Sequence, residues 1–370
     1  MHVGYGAALQ QVNVYPDAQF VREELELCVL AESLGLDSVW LPEHHFSDYS
    51  VMPDPLQALA YLAGRTKTIK LGVGVIVLPW HDPLRVAEKV ILLDHISNGR
   101  LIVGFGRGLA RAEFLGLRVN QDEARPRFNE HAELVLKALE TGFMEGGALT
   151  NQPLRELRPR PFKSFRGRAF SAAMSPESAP LMAKLGLGLL VVNLKPKEVF
   201  QSEWLAYSDC WRLAHGSLSE PPKPLLSGLV VVDESADRAE ELAMKYVKVS
   251  QRISIQHYGL MEPEFGTAKG YEHYLKTMKI DPDTDIDKLA ETYAKGMPHG
   301  TPNQVLEYYA TLKETLDMQG IFAHFKFGGM PREEAERNLR CFAKHCLPEL
   351  KSWSSVCSLE EAVEGPKCAA

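Results

Sequence analysis

The stretch IKLGVGVIVLPWHDPLRVAEKVILLDHISNGRLIVGFGRG, residues 69–108, decides the fold. Its first ten residues, 69–78, form an almost unbroken apolar run rich in Val and Ile, the composition of a strand buried on both faces. A helical pattern follows over about 83–97, and Asn98-Gly99 closes it. RLIVGFG, residues 100–106, is apolar again. Strand, helix and strand in this order is a parallel βαβ unit.

The same rhythm extends in both directions. Upstream lie VGYGAAL (3–9), a helix over about 18–34 stopped at Gly35, DSVWLPE (37–43) and a helix over 55–65. Downstream, RAFSAA (168–173), GLLVVN (188–193), PLLSGLVVVD (224–233) and IFAHFKF (321–327) bring the strands to eight, with helical patterns between and after them. Eight such units in 370 residues favour a (β/α)8 TIM barrel over an open doubly wound sheet. Residues 1–350 then make a single barrel domain. The segment from about 259 to 300, rich in Gly, Pro, Asp and Tyr, is an insertion between the seventh and eighth strands, and such segments form lids or substrate walls. Residues 351–370 read as a poorly ordered tail.

A formal net charge of −7 gives no electrostatic reason to expect nucleic acid or an anionic membrane as partner, so a small organic ligand fits better. The six cysteines lack C-x-x-C pairing and read as reduced thiols. With no secretory pattern at the start and no apolar run near 18 residues, the expectation is a cytoplasmic protein.

In such a barrel the loops after the strand C-termini build the active site. Three clusters occupy those positions. The first is Glu43-His44-His45, where His44 has the chemistry of a general base or hydrogen-bond donor and Glu43 or His45 is placed to fix its tautomer. The plainer reading is that both histidines fill polar corners of the barrel mouth. A shared metal is disfavoured, because adjacent side chains on extended backbone point to opposite sides and no partner motif appears.

The second cluster, GFGRGLARAEF (104–114), sets glycines at 104, 106 and 108 around Arg107. The backbone there admits a ligand closely, and the guanidinium suits a phosphate. It is not a dinucleotide fingerprint, since Leu109 stands where the third glycine belongs. In the third, AAMSPESA (172–179), Ser175 is placed as an N-cap with Pro176 at the first helical position, and the Ser175 and Ser178 hydroxyls face an anion, with Arg125 as a second positive charge. Ordinary capping explains Ser175 equally well. Gly72 and Gly74 inside the third strand mark either close approach of a ligand or a crowded barrel layer.

VWLPEHHF, LAGRTKTIKLGVGVIVLPWHDPLRVAEKVILLDHISNGRLIVGFGRGL and AAMSPESA together resemble the bacterial luciferase family of flavin-dependent monooxygenases, and the resemblance spans nearly all of residues 1–350. DHISNGR with GFGRG is specific for the superfamily, and EHHF with GVIVLP points to its FMN-using branch. The resemblance implies a barrel that binds reduced FMN delivered by a separate flavin reductase, forms a C4a-(hydro)peroxyflavin with O2, and oxygenates a small or medium organic substrate. It also implies a homodimer.

By motif, His44 matches the family's catalytic histidine and His45 its neighbour. Arg107, Gly108, Leu109, Arg125, Ser175 and Ser178 fall where the family holds the flavin phosphate, Gly74 and Val75 at a non-prolyl cis bond against the flavin ring, and Gly106 at a luciferase cysteine beside it. Gly106, Met174 and Ala110 depart from the luciferase residues, which argues against light emission and long-chain aldehyde specificity. Two alternatives stand: a deazaflavin-dependent dehydrogenase on the same barrel, and a non-catalytic flavin-binding or partner subunit.

Overall fold

The computed structural model describes residues 1–12, 16–172, 177–192 and 197–354. Its strands are β1 (His2–Gly6), β2 (Ser38–Leu41), β3 (Lys70–Val77), β4 (Leu101–Gly106), β5 (Phe143–Gly146), β6 (Gln152–Glu156), β7 (Ala169–Ser171), β8 (Gly188–Val192), β9 (Leu225–Leu229), β10 (Val231–Val232), β11 (His299–Gly300) and β12 (Gly320–His324). The helices are α1 (Asp17–Ser33), α2 (Pro55–Arg65), α3 (Pro83–Ile96), α4 (Arg111–Gly116), α5 (Ala124–Thr141), α6 (Ala179–Lys184), α7 (Lys197–His215), α8 (Ala236–Tyr258), α9 (Glu272–Thr277), α10 (Ile286–Gly296), α11 (Pro302–Leu316), α12 (Arg332–His345) and α13 (Leu347–Ser352).

Eight of the strands close a parallel barrel in the order β1, β12, β9, β8, β7, β4, β3, β2. Each corresponds to one of the eight apolar runs in the sequence. The (β/α)8 expectation is therefore met, with shorter strands than the runs that announce them. The 224–233 run divides: β9 stays in the barrel, while β10 leaves it to pair in parallel with β11. An antiparallel hairpin, β5 with β6, which the pattern of apolar residues did not announce, follows α5. The 259–300 segment contains α9, α10 and β11 rather than irregular chain alone.

Helix starts follow their local chemistry. Asp54 and Asp82 cap α2 and α3 by accepting from the Gln57 and Arg85 backbone N–H groups, each with proline at the start of the helix. The helix expected to begin at Pro176 begins at Ala179, with Ser178 at its cap position. Ser175 and Met174 lie outside the described residues, as do 355–370 of the expected tail.

The barrel is plugged by aromatic rings. Trp40 is fully buried, stacked on Phe322 at 4.7 Å and edge-on to Phe170 at 6.5 Å. Gly72 exists to admit that indole, because a Cβ there would lie 2.3 Å from the Trp40 ring. Crowding, not a ligand, thus accounts for Gly72. Removing the Trp40 ring would cost about 3–5 kcal/mol. Above this plug, at the C-terminal ends of the strands, the barrel opens into a cavity.

Candidate active site

The cavity has a volume of about 300 Å³. Its inner wall is apolar, with Trp40, Val75, Leu190 and Phe322, and its two ends carry different polar chemistry.

At one end, β2 stops at Leu41 and the following residues turn across the barrel mouth. His44 lines the cavity, and its Nδ1 lies 3.1 Å from Glu113 Oε1, which also accepts from the His45 backbone N–H at 2.8 Å. A carboxylate accepts, so Nδ1 is the donor and carries a proton. Glu113, on α4, is 1% exposed. Behind it stands His257, from the last turn of α8. Its Nδ1 bonds Ser47 Oγ at 2.7 Å, its Nε2 sits 3.6 Å from Glu113 Oε1, and its ring stacks on Tyr49 at 4.5 Å. Burial, then the neighbouring His44, push the His257 pKa down to about 3, so this imidazole is neutral at any physiological pH.

His45 turns away from the cavity. Its Nε2 bonds Glu43 Oε1 at 3.3 Å, and His81 Nε2 reaches the same oxygen at 2.5 Å. The second Glu43 oxygen accepts from the Val77 backbone N–H at 2.7 Å. Burial works to raise the pKa of this carboxyl, but the two histidines and the N–H overcome it and hold the group below its ordinary value. Glu43 therefore fastens the end of β3 and positions His45 and His81. The residue that fixes the His44 tautomer is Glu113, not Glu43 or His45.

The other end is built from the β4 exit and the insertion. Arg107 stacks on Tyr271 at 4.0 Å, with Tyr274 5.6 Å away, and its Nη1 donates to the Gly270 carbonyl at 2.6 Å. Its Nη2 is buried and has no hydrogen-bond partner among the described residues. Arg125 Nη1 donates to Ser178 Oγ at 3.0 Å. Burial, then the charge of Arg107, lower the Arg125 pKa, which marks two guanidiniums facing one space. The insertion is held down over them: the Tyr271 hydroxyl donates to the Gly108 carbonyl at 2.9 Å, and the Lys269 backbone N–H to Asp122 Oδ1 at 2.8 Å.

Between the two ends, the Gly74–Val75 peptide is cis and both residues line the cavity. Gly106 lies directly beneath Val75, where a Cβ would meet Val75 Cγ2 at 2.3 Å. Gly108 has φ +82°, the left-handed region that favours glycine, and it lets the chain turn back toward α4.

Of the residues singled out in the sequence, His44, Gly74, Val75, Gly106, Arg107, Gly108, Leu109, Arg125 and Ser178 line this one cavity, His45 does not, and Ser175 lies outside the described residues. Glu113, His257, Tyr271 and Tyr274 were missed. Glu113 sits inside the GFGRGLARAEF stretch, so an acidic residue just after a candidate anion loop was the available signal. His257 offered none, because 144 residues separate it from Glu113 (257 − 113).

The family model for luciferase-like monooxygenases matches residues 1–319. Limonene 1,2-monooxygenase of Rhodococcus erythropolis is 32% identical over 232 residues, 60% of this chain and 58% of that protein. The oxygenase component of the flavin-dependent trigonelline monooxygenase of Acinetobacter baylyi is 29% identical over 178 residues, 48% of this chain and 49% of that one. The chain thus spans only about half of the length of these two relatives. Among solved structures, monooxygenase RslO1 from Streptomyces bottropensis superposes with a TM-score of 0.70 at 28% identity, covering 94% of this chain and 99% of that one. With the model matched from the first residue through α11, and the barrel and cavity in place, the chain belongs to the luciferase-like monooxygenase family.

Proposed function

We propose that this oxidoreductase is the oxygenase component of a two-component system, taking reduced FMN from a separate flavin reductase and using O2 to oxygenate a small or medium organic substrate. One observation carries the reading: a mostly apolar cavity with a guanidinium pair at one end and a carboxylate-held imidazole at the other. Arg107 presents a buried donor with no acceptor within the described residues, next to Arg125, and a phosphate dianion supplies acceptors of the right charge and geometry. The residues present fit FMN on that ground. When bound, reduced flavin supplies the electrons and the reaction with O2.

The chain's own groups do the rest. Arg107, Arg125 and Ser178 hold the phosphate, with Tyr271 stacked on Arg107 to fix its plane. Gly74, Val75, Gly106 and Leu109 line the space for the ring system. His44 accepts or returns a proton at Nε2 while Glu113 keeps the proton on Nδ1, and the apolar wall excludes water. His45 acts through Glu43 as a positioning residue. The flavin dependence of the trigonelline relative and its description as an oxygenase component support the cofactor and the reductase partner. Among the described residues no helix is long and apolar enough to cross a membrane, which accords with the proposed cytoplasmic setting, and we assign a homodimer on the resemblance of the sequence.

The test is anaerobic titration with reduced FMN and with reduced deazaflavin, followed by oxygen-18 and a panel of small alkenes, ketones and aldehydes. Preferred binding of reduced FMN and label in one product support the proposal. Preferred binding of the deazaflavin, or hydrogen peroxide as sole product across the panel, would overturn it.

A further inference from the structure

Behind the cavity, His44, Glu113 and His257 come together from three separate elements, and one donor atom from each lies within 4.8 Å of the others. Glu113 Oε1 is 3.1 Å from His44 Nδ1 and 3.6 Å from His257 Nε2. Ligands around a tetrahedral zinc with bonds near 2.1 Å stand about 3.4 Å apart, so the two separations bracket the spacing that such an ion imposes.

Two further observations point to a cation. His257 is more than nine-tenths buried, and its Nε2 has no hydrogen-bond partner among the described residues although it is aimed at Glu113. Glu113 is buried too, and among the described residues only histidines lie within ion-pair distance of it. Buried carboxylates are ordinarily matched by a paired charge or a metal ion. Ser47 completes the arrangement. With the ion bound, Ser47 would accept from His257 Nδ1–H and leave the Nε2 lone pair directed into the cluster, the outer hydrogen bond that metal-binding histidines ordinarily make.

We propose that His44, Glu113 and His257 form a binding site for a divalent transition ion of the zinc class, with the fourth position open to the cavity that His44 lines. Two imidazoles and one carboxylate select zinc or cobalt over magnesium or calcium, which require oxygen ligands. The ion takes the His44 nitrogen that otherwise bonds Glu113, so its binding switches off the proton function of His44 reversibly. The ion site stands on these donors alone; only its effect on His44 rests on the proposed function.

The experiment uses tag-free, chelator-treated, flavin-free full chain. Calorimetric titration with Zn2+ should give one ion per chain with micromolar or tighter affinity, and Co2+ should show the intense visible bands of four- or five-coordination. His257→Gln should weaken Zn2+ at least tenfold. Ser47→Ala, which keeps all three ligands and sits on a surface loop, should weaken it about tenfold through the outer hydrogen bond. His81→Ala, which alters the neighbouring Glu43 cluster, should leave it unchanged. The proposal is overturned by absence of stoichiometric binding to the unmodified chain. It is equally overturned by affinity that survives both His257→Gln and Ser47→Ala, or that is lost in His81→Ala.

Discussion

The two ends of the cavity handle buried polarity in opposite ways. At the histidine end, Glu113 and Glu43 each gather two imidazoles and a backbone N–H within reach, and the side chains largely answer one another. At the arginine end, two cations face the same space, and Arg107 keeps a buried donor without an acceptor among the described residues. At the first end a carboxylate–imidazole network fixes geometry, with His257 Nε2 left without a partner among the described residues. The Arg107 donor at the second end suits an anion. Under the proposed function the first end carries the proton chemistry and the second anchors the cofactor, and mutations should separate them.

The sharpest separation is expected at His44. His44→Ala should lower substrate turnover by about 10²–10³-fold, the usual contribution of a positioned acid or base, while reduced-FMN affinity changes less than about threefold. Glu113→Gln should follow the same split more weakly, since it removes the acceptor that sets the tautomer but leaves the ring. Turnover and anaerobic flavin titration on each variant make the check, and parallel loss of both quantities would erase the distinction between the ends.

The reverse split is expected at Arg107. Loss of a charge-assisted contact to phosphate costs about 1.5–3 kcal/mol, so Arg107→Ala should weaken reduced FMN by roughly 10–150-fold, with turnover at saturating flavin much less affected. Acid gives a third contrast. His2, His257 and His324 are held neutral with pKa values of about 4, 3 and 4, against an ordinary 6.5, in each case chiefly by burial. The unfolded chain therefore binds more protons than the fold below pH 6.5. Stability is complete above that value and falls as pH drops, at up to about 1.4 kcal/mol per pH unit for each histidine until its folded pKa is reached. Thermal melting followed from pH 7 to pH 5 should show the loss, and His257→Gln should make it shallower. The smallest effect is expected at Tyr271→Phe, which deletes the bond to Gly108 and should cost about 1 kcal/mol, read as a few-fold weaker reduced FMN.

Much of the frame was legible because the barrel's physics is local. Six of the eight barrel strands lie within apolar runs bounded by turn residues and the other two start one residue ahead of theirs, and α2 falls on the helix pattern at 55–65 residue for residue. What the sequence concealed is long-range or locally unpatterned. The β5–β6 hairpin has strands of only four and five residues, mostly exposed, so no alternation of apolar and polar residues marks it. In the insertion, Gly, Pro and Asp masked two short helices, and no spacing rule connects Tyr271 to Arg107 across 164 positions (271 − 107). The anion loop was readable because Gly106, Arg107 and Gly108 are consecutive. The His44–Glu113–His257 cluster was not, because the fold alone brings the loop after β2, α4 and the end of α8 together.

The most direct test of the central claim compares reduced FMN with reduced riboflavin, which differ only in the phosphate, in anaerobic titrations of the unmodified chain and of Arg107→Ala. The unmodified chain should bind FMN at least tenfold more tightly, and the variant should nearly lose the preference. Equal affinity for the two flavins in the unmodified chain would contradict the claim.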